Sequence, residues 1–73
     1  MFNMKVGLVY EITLKNGLEL YGYTVYKKKR VSFGCLSLSE SMYTVGYDGL
    51  DGHEDFRREI LASDIKYAST VVV

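Results

Sequence analysis

The stretch "ITLKNGLELYGYTV", residues 12–25, decides the fold, because it has the pattern of two β-strands joined by a tight turn. Asn-Gly between alternating apolar residues is typical of a two-residue type I′ hairpin, which needs positive φ at both central positions. With Asn16 and Gly17 as the loop, period-2 geometry predicts one apolar face. Its three cross-strand pairs are Ile12 with Tyr21, Tyr10 with Tyr23, and Leu8 with Val25.

Outward from this hairpin, short β runs alternate with turn signals. The first strand is predicted over 5–14. The second ends at four consecutive cations, Lys27 to Arg30, which we place at the tip of a hairpin. Further strands are predicted over 31–38, 42–47, 56–61 and 65–73. Polar residues 39–41 predict a turn, 48–55 an Asp-Gly-rich loop, and 62–64 one turn of 3₁₀ helix.

The spacing of these runs predicts five strands, or six, in one small antiparallel barrel. Gly22 and Gly34 are expected to mark bends or bulges. A short helix over 56–62 stays open as an alternative, because Phe56, Ile60 and Leu61 also have helical spacing.

Composition predicts a single folded domain without an internal disulfide. The chain has 73 residues, 48% of them hydrophobic and 25% charged, which is typical of a globule rather than a disordered tail. Nine basic side chains balance nine acidic ones, so the composition excludes a generic polycation and a whole-surface DNA mimic.

The compartment is predicted from what the sequence lacks. Cys35 is the lone cysteine and cannot form an internal disulfide, which favours a reducing compartment. The start "MFNMKVG" has no apolar run of signal-peptide length, and no stretch approaches a membrane span. We therefore expect a cytoplasmic protein.

Two stretches carry a resemblance to known small barrels. "LKNGLELYGYTV", residues 14–25, is a hairpin whose second strand contains a bend glycine, and "YTVGYDG" (43–49) followed by "REILASDIKYA" (58–68) gives strand, Asp-Gly loop, strand, short 3₁₀ turn and strand. This order resembles SH3-like, Tudor-like and Sm-like domains. The resemblance implies an all-β, five-stranded SH3-like barrel, and a shared barrel does not establish function.

The predicted function is non-catalytic docking on a larger protein, as an accessory or inhibitor. Surface tyrosines would anchor the partner, and charged loops would steer it. A phage protein that modulates its host would fit this size. The candidate partner-binding residues are Tyr26, Lys27, Lys28, Lys29, Arg30, Phe33, Tyr47, Asp48, Asp51, Glu54 and Asp55.

Two alternatives come from other classes. The basic run 27–30, with Tyr26 and Phe33 nearby to stack on bases, would suit a nucleic-acid-binding barrel. The β-prone end "STVVV" would suit pairing with a second copy in a homo-oligomer.

Enzymatic and metal chemistry have little support in the sequence. The single His53 and Cys35 would have to meet to form a catalytic dyad, and Cys35 is expected on the core face. The acids of 48–55 lack the spacing of a calcium loop. We expect no enzyme, no cofactor and no metal.

Overall fold

The chain folds as one antiparallel sheet of five strands in a computed structural model that describes residues 3–34, 38–47 and 57–71. The strands are β1 (Val9–Leu14), β2 (Glu19–Phe33), β3 (Leu38–Tyr47), β4 (Arg57–Leu61) and β5 (Ile65–Thr70). A 3₁₀ turn, Ala62–Asp64, joins β4 to β5 as predicted. The sheet order is β4-β3-β2-β1-β5.

The all-β class is confirmed. Within the three described ranges there is no α-helix, so the helical alternative is wrong for Arg57–Leu61, which pair with β3. The sheet is open, because β4 and β5 form its two edges and no described residues pair them with each other. No helix in the described ranges has the length and apolarity needed to cross a membrane.

The long strand β2 is shared between two neighbours. Its first part pairs with β1 and its second part with β3. Two bulges interrupt these ladders: Gly22 is the extra residue opposite β1, and Tyr26 is the extra residue opposite β3. Bulges bend a strand and increase its twist, so a single strand can turn from one partner to the other.

The β1–β2 loop differs from the predicted type I′ turn. The Leu14 amide donates to the Leu18 carbonyl at 2.9 Å, which leaves three loop residues instead of two. Gly17 has φ +93°, whereas no non-glycine residue in the described ranges has positive φ. The Asn16 side-chain oxygen instead accepts a hydrogen bond from the Leu18 amide at 2.9 Å. This three-residue loop ending in a left-handed glycine is a common alternative hairpin.

The extra loop residue shifts the predicted register by one near the turn. Ile12 faces Leu20, and the predicted pairing of Ile12 with Tyr21 is wrong. Because side chains alternate between faces, Leu20 is buried at 3% exposure and Tyr21 is 65% exposed. The bulge at Gly22 restores the original register, so the predicted pair of Tyr10 and Tyr23 is confirmed.

The cations do not form a hairpin tip, and that prediction is wrong. Lys27–Arg30, called here the basic segment, lies within β2 and pairs with residues 41–44 of β3. Residues 39–41, expected in a turn, belong to β3, and Val31–Phe33, expected in a separate strand, continue β2. Gly34, which directly follows β2, has φ +59°. Residues 35–37, and with them Cys35, lie outside the described residues.

The core lies on one face of the sheet and is completed by the segment before β1. Met4 is only 1% exposed. Its amide donates to the Tyr43 hydroxyl at 3.1 Å, and the Lys5 amide donates to the Tyr10 hydroxyl at 2.8 Å. The first strand was expected to begin at Lys5, but it begins at Val9. The core residues are Met4, Tyr10, Ile12, Leu14, Leu20, Val25, Tyr43, Val45, Ile60, Ala62 and Ile65.

The bulge at Gly22 gives a test of the register. Gly22 has φ +76°, and an added Cβ would meet its nearest atom, in the Tyr47 ring, at an ordinary 3.7 Å. The cost of Gly22→Ala is therefore conformational, and we expect the free energy of unfolding to fall by about 1–2 kcal/mol. Gly22→Asn should lose less, because asparagine tolerates this conformation. Urea unfolding checks both variants. Equal losses for alanine and asparagine would contradict a left-handed bulge.

Candidate docking surface on the β2–β3 arm

Strands β2 and β3 extend past the ends of their neighbours β1 and β4 and continue as a two-stranded ribbon. The β1–β2 pairing ends at Thr24, and the β3–β4 pairing begins at Met42. Within the described part of the chain, Arg30–Phe33 and Leu38–Ser41 therefore pair only with each other, and they are called here the arm. The molecule measures 41 × 23 × 21 Å along its principal axes, in keeping with such an extension.

The arm ends in an exposed apolar pair. Phe33 and Leu38 face each other across the ribbon and are 43% and 63% exposed. Phe33 was a predicted site residue, whereas Leu38 was missed. Leu38 lies opposite Phe33 because β2 includes the basic segment and continues to Phe33. Because the sequence predicted a turn at Lys27–Arg30, it did not predict this pair.

The four cations of the basic segment are exposed but divided between the two faces of the ribbon. On one face, the Lys28 ammonium lies 5.7 Å from the centroid of the core Tyr43 ring and donates to the Asn3 side chain. Because successive side chains of a strand point to opposite faces, Lys29 lies on the other face from Lys28. There its ammonium lies 3.6 Å from a carboxylate oxygen of Glu59 in β4. The basic segment thus presents cations on both faces of the ribbon instead of forming a single flat patch.

The arm is tied to the rest of the sheet at its base. Arg30 Nε donates to Ser39 Oγ at 3.2 Å across the ribbon. The Ser63 amide, in the 3₁₀ turn, donates to Glu40 Oε1 at 2.9 Å. The hydrogen bonds from Ser63, and then the charge of Lys15, lower the pKa of the Glu40 carboxyl against the opposing effect of partial burial. Glu40 is therefore best suited to hold the arm as a carboxylate.

Tyr26, a predicted partner anchor, packs against neighbouring residues of the sheet. It is half-buried, and its ring lies across Gly46, where an added Cβ would come within 2.7 Å of the ring. The guanidinium of Arg57, in β4, lies 4.2 Å from the centroid of the Tyr26 ring. The missing side chain of Gly46 creates the space for this stack, which fixes the bulge at Tyr26 against two neighbouring strands.

Tyr47 is exposed, but it lies far from the arm tip. Its ring is 5.8 Å from the Tyr23 ring, tilted by 38°. Tyr47 is the last residue of the ten-residue β3 and Leu38 is the first, so about 30 Å of strand separates them. The structure therefore places Phe33 with the cations and places Tyr47 elsewhere.

The acidic part of the predicted site lies outside the described residues. Asp48, Asp51, Glu54, Asp55 and His53 all fall in the range 48–56. Over residues 3–34, 38–47 and 57–71, no three His, Cys, Asp or Glu side chains form a group that could hold a metal ion.

An open hollow of about 260 Å³ lies between the β1–β2 loop, β4 and the 3₁₀ turn. Its lining carries both signs of charge, two cations and two acids. The lining residues are Leu14, Lys15, Asn16, Arg58, Glu59, Ile60 and Asp64. With no excess of either charge, the hollow favours neither an anion nor a cation.

Comparison of the chain with protein-family models, with curated proteins and with solved structures finds no match.

The stack over Gly46 predicts a coupled pair of substitutions. Gly46→Ala should lower the free energy of unfolding by about 1–3 kcal/mol, because its methyl group would overlap the Tyr26 ring. In a Tyr26→Ala background the same substitution should cost clearly less, since the overlapping ring is gone. Urea unfolding of the wild type, both single variants and the double variant measures the coupling. Additive losses would contradict the stack.

The Glu40 contact predicts a pH dependence of stability. Because the folded pKa of Glu40 lies below the ordinary value of a glutamate, the stabilisation by its carboxylate is complete above that ordinary value and is lost as the pH falls through the folded pKa. Glu40→Gln should therefore be less stable than the wild type at pH 7, and the difference should shrink in acid. Thermal unfolding from pH 7 to pH 2 measures it, with Glu19→Gln as the control. A difference independent of pH would contradict this role.

Proposed function

We propose that this chain is a non-catalytic protein-interaction domain that docks on a larger protein through the arm, as an accessory or inhibitor. The observation that carries the proposal is the exposed pair Phe33 and Leu38 at the end of a tethered two-stranded ribbon. Aromatic and arginine side chains are enriched where interfaces have most of their binding energy. A phenylalanine held on paired strands also loses little conformational freedom on binding.

The basic segment supplies the second part of the proposal. Two apolar side chains offer a small contact area, so charge must contribute orientation and speed of association. The segment stands directly before the apolar pair in β2, and a partner that contacts the tip would therefore meet the cations as well.

We further propose that the open sheet curls into a small SH3-like barrel. Support comes from Ile60 at one edge strand and Ile65 at the other, which are buried in one continuous core. The 3₁₀ turn between them carries the chain from β4 to the far side of β1. A cytoplasmic location stays a prediction.

Nucleic-acid binding is the second candidate, favoured by four consecutive cations. Their division between two faces reduces the number that one phosphate backbone can contact at once.

Capture on an immobilised chain tests the proposal. Lysate from the cells that encode the protein is treated with nuclease and passed over the wild type, over Phe33→Ser/Leu38→Ser, and over the control Leu18→Ser. Leu18 is an exposed leucine on the distant β1–β2 loop. We expect a defined protein to be retained by the wild type and the control and to be reduced at least about tenfold by the double variant.

Three outcomes would contradict docking through the arm. The first is equal retention by all three chains, and the second is retention that occurs only in a parallel run with lysate not treated with nuclease. The third is assembly of the purified chain into a defined oligomer that the double variant dissolves, as sedimentation would show, because the arm would then contact a second copy.

A further inference from the structure

Among residues 3–34, 38–47 and 57–71, no strand lies beside one side of β2 along the basic segment. Backbone hydrogen bonding to the chain before β1 ends at Val25, whose amide donates to the Leu8 carbonyl at 3.1 Å and whose carbonyl accepts from the Gly7 amide at 2.8 Å. From Lys27 to Phe33, the described residues provide β3 as the only paired strand. In an antiparallel pair, every second residue turns its amide and carbonyl away from the partner. This edge can therefore accept another strand.

The charge along this edge is of one sign. Residues 27–33 contain four cations and no acid. Glu59 neutralises Lys29 in part, while the described contacts of Lys28 and Arg30 are with the neutral side chains of Asn3 and Ser39. The other two edges differ, since β4 carries an acid, Glu59, directly after Arg57 and Arg58, and Lys66 is the sole charged residue of β5.

This charge selects the occupant. A second copy that paired through the same edge would bring cations opposite cations, which destabilises cross-strand pairs. A strand with acidic side chains would instead form favourable pairs on both faces of the ribbon, because the basic segment directs cations to both. Nucleic acid could neutralise the cations, but it cannot complete the backbone ladder.

We infer that the free edge of β2 from Lys27 to Phe33 binds an extended acidic segment of a partner protein by strand addition. Backbone hydrogen bonds supply the alignment, carboxylates pair with the basic segment, and an apolar residue of the segment contacts Phe33. The inference rests on the proposed function, because it names the kind of partner that the arm would take.

The test uses a labelled decapeptide with four consecutive glutamates between valine and threonine residues. Fluorescence anisotropy at 50 mM salt measures its binding to the full chain. We expect saturable binding that Lys27→Glu/Lys29→Glu weakens at least about tenfold. The matched control, Arg58→Glu/Lys66→Glu, makes the same change in charge at exposed positions in the edge strands β4 and β5 and should bind like the wild type within about threefold. Urea unfolding confirms that both variants are folded.

Backbone methylation separates strand addition from simple charge attraction. Two forms of the peptide carry N-methyl groups on alternate residues, one on the odd set and one on the even set. A strand at an edge directs only one set of amides to the protein, so one form should lose binding and the other should keep it. On the protein, amide exchange should slow at every second residue from Lys27 to Phe33.

Several results would overturn the inference. They are the absence of binding at 50 mM salt, equal tolerance of both methylated peptides, or protection confined to residues outside β2. Tighter binding of a single-stranded oligonucleotide than of the peptide would favour nucleic acid instead. The capture experiment with Phe33→Ser/Leu38→Ser is read independently, so docking through the arm can hold even when strand addition fails.

Discussion

The two bulges in β2 determine the rest of this structure. At Gly22 one extra residue returns the strand to the register that faces Tyr10 with Tyr23, and at Tyr26 a second extra residue realigns it with β3. A regular strand of fifteen residues would be about 50 Å long and could not bend to cover a core of this size. Because the bulges turn β2, its first part builds the core with β1 while its second part leaves the sheet as the arm.

The core that results is completed by backbone contacts to two tyrosine hydroxyls. Met4 fills the buried face, and Tyr43 and Tyr10 accept hydrogen bonds from the amides of residues 4 and 5. A chain of 73 residues buries a limited fraction of its surface, so an apolar side chain contributed by an irregular segment is valuable. The hydroxyls satisfy amides that would otherwise be buried without partners. Tyrosine therefore serves the interior of this protein as well as its surface.

The sequence predicted the strand class, the 3₁₀ turn and the Tyr10–Tyr23 pair, because apolar alternation and glycine positions are local signals. It failed where one side-chain contact decided between two turns. The hydrogen bond from the Leu18 amide to the Asn16 side chain favours a three-residue loop. Because side chains alternate between the faces of a strand, this loop places Leu20 in the core and Tyr21, which was predicted there, at the surface. The position of Lys27–Arg30 was equally hidden. Charged residues are unusual within strands, but here Lys27–Arg30 are exposed to solvent on both faces of the ribbon, so the strand can accommodate them.

A row of lysines at a sheet edge has two physical consequences that are usually treated separately. It repels other copies of the same edge, which protects a small β protein from aggregation. The same charge leaves the backbone groups of that edge open to an acidic strand, since repulsion depends on sign while backbone pairing does not. Protection and recognition therefore need no separate residues here. The arm adds direction, because Phe33 lies at only one end of the basic segment and distinguishes the two ways in which an acidic strand could align.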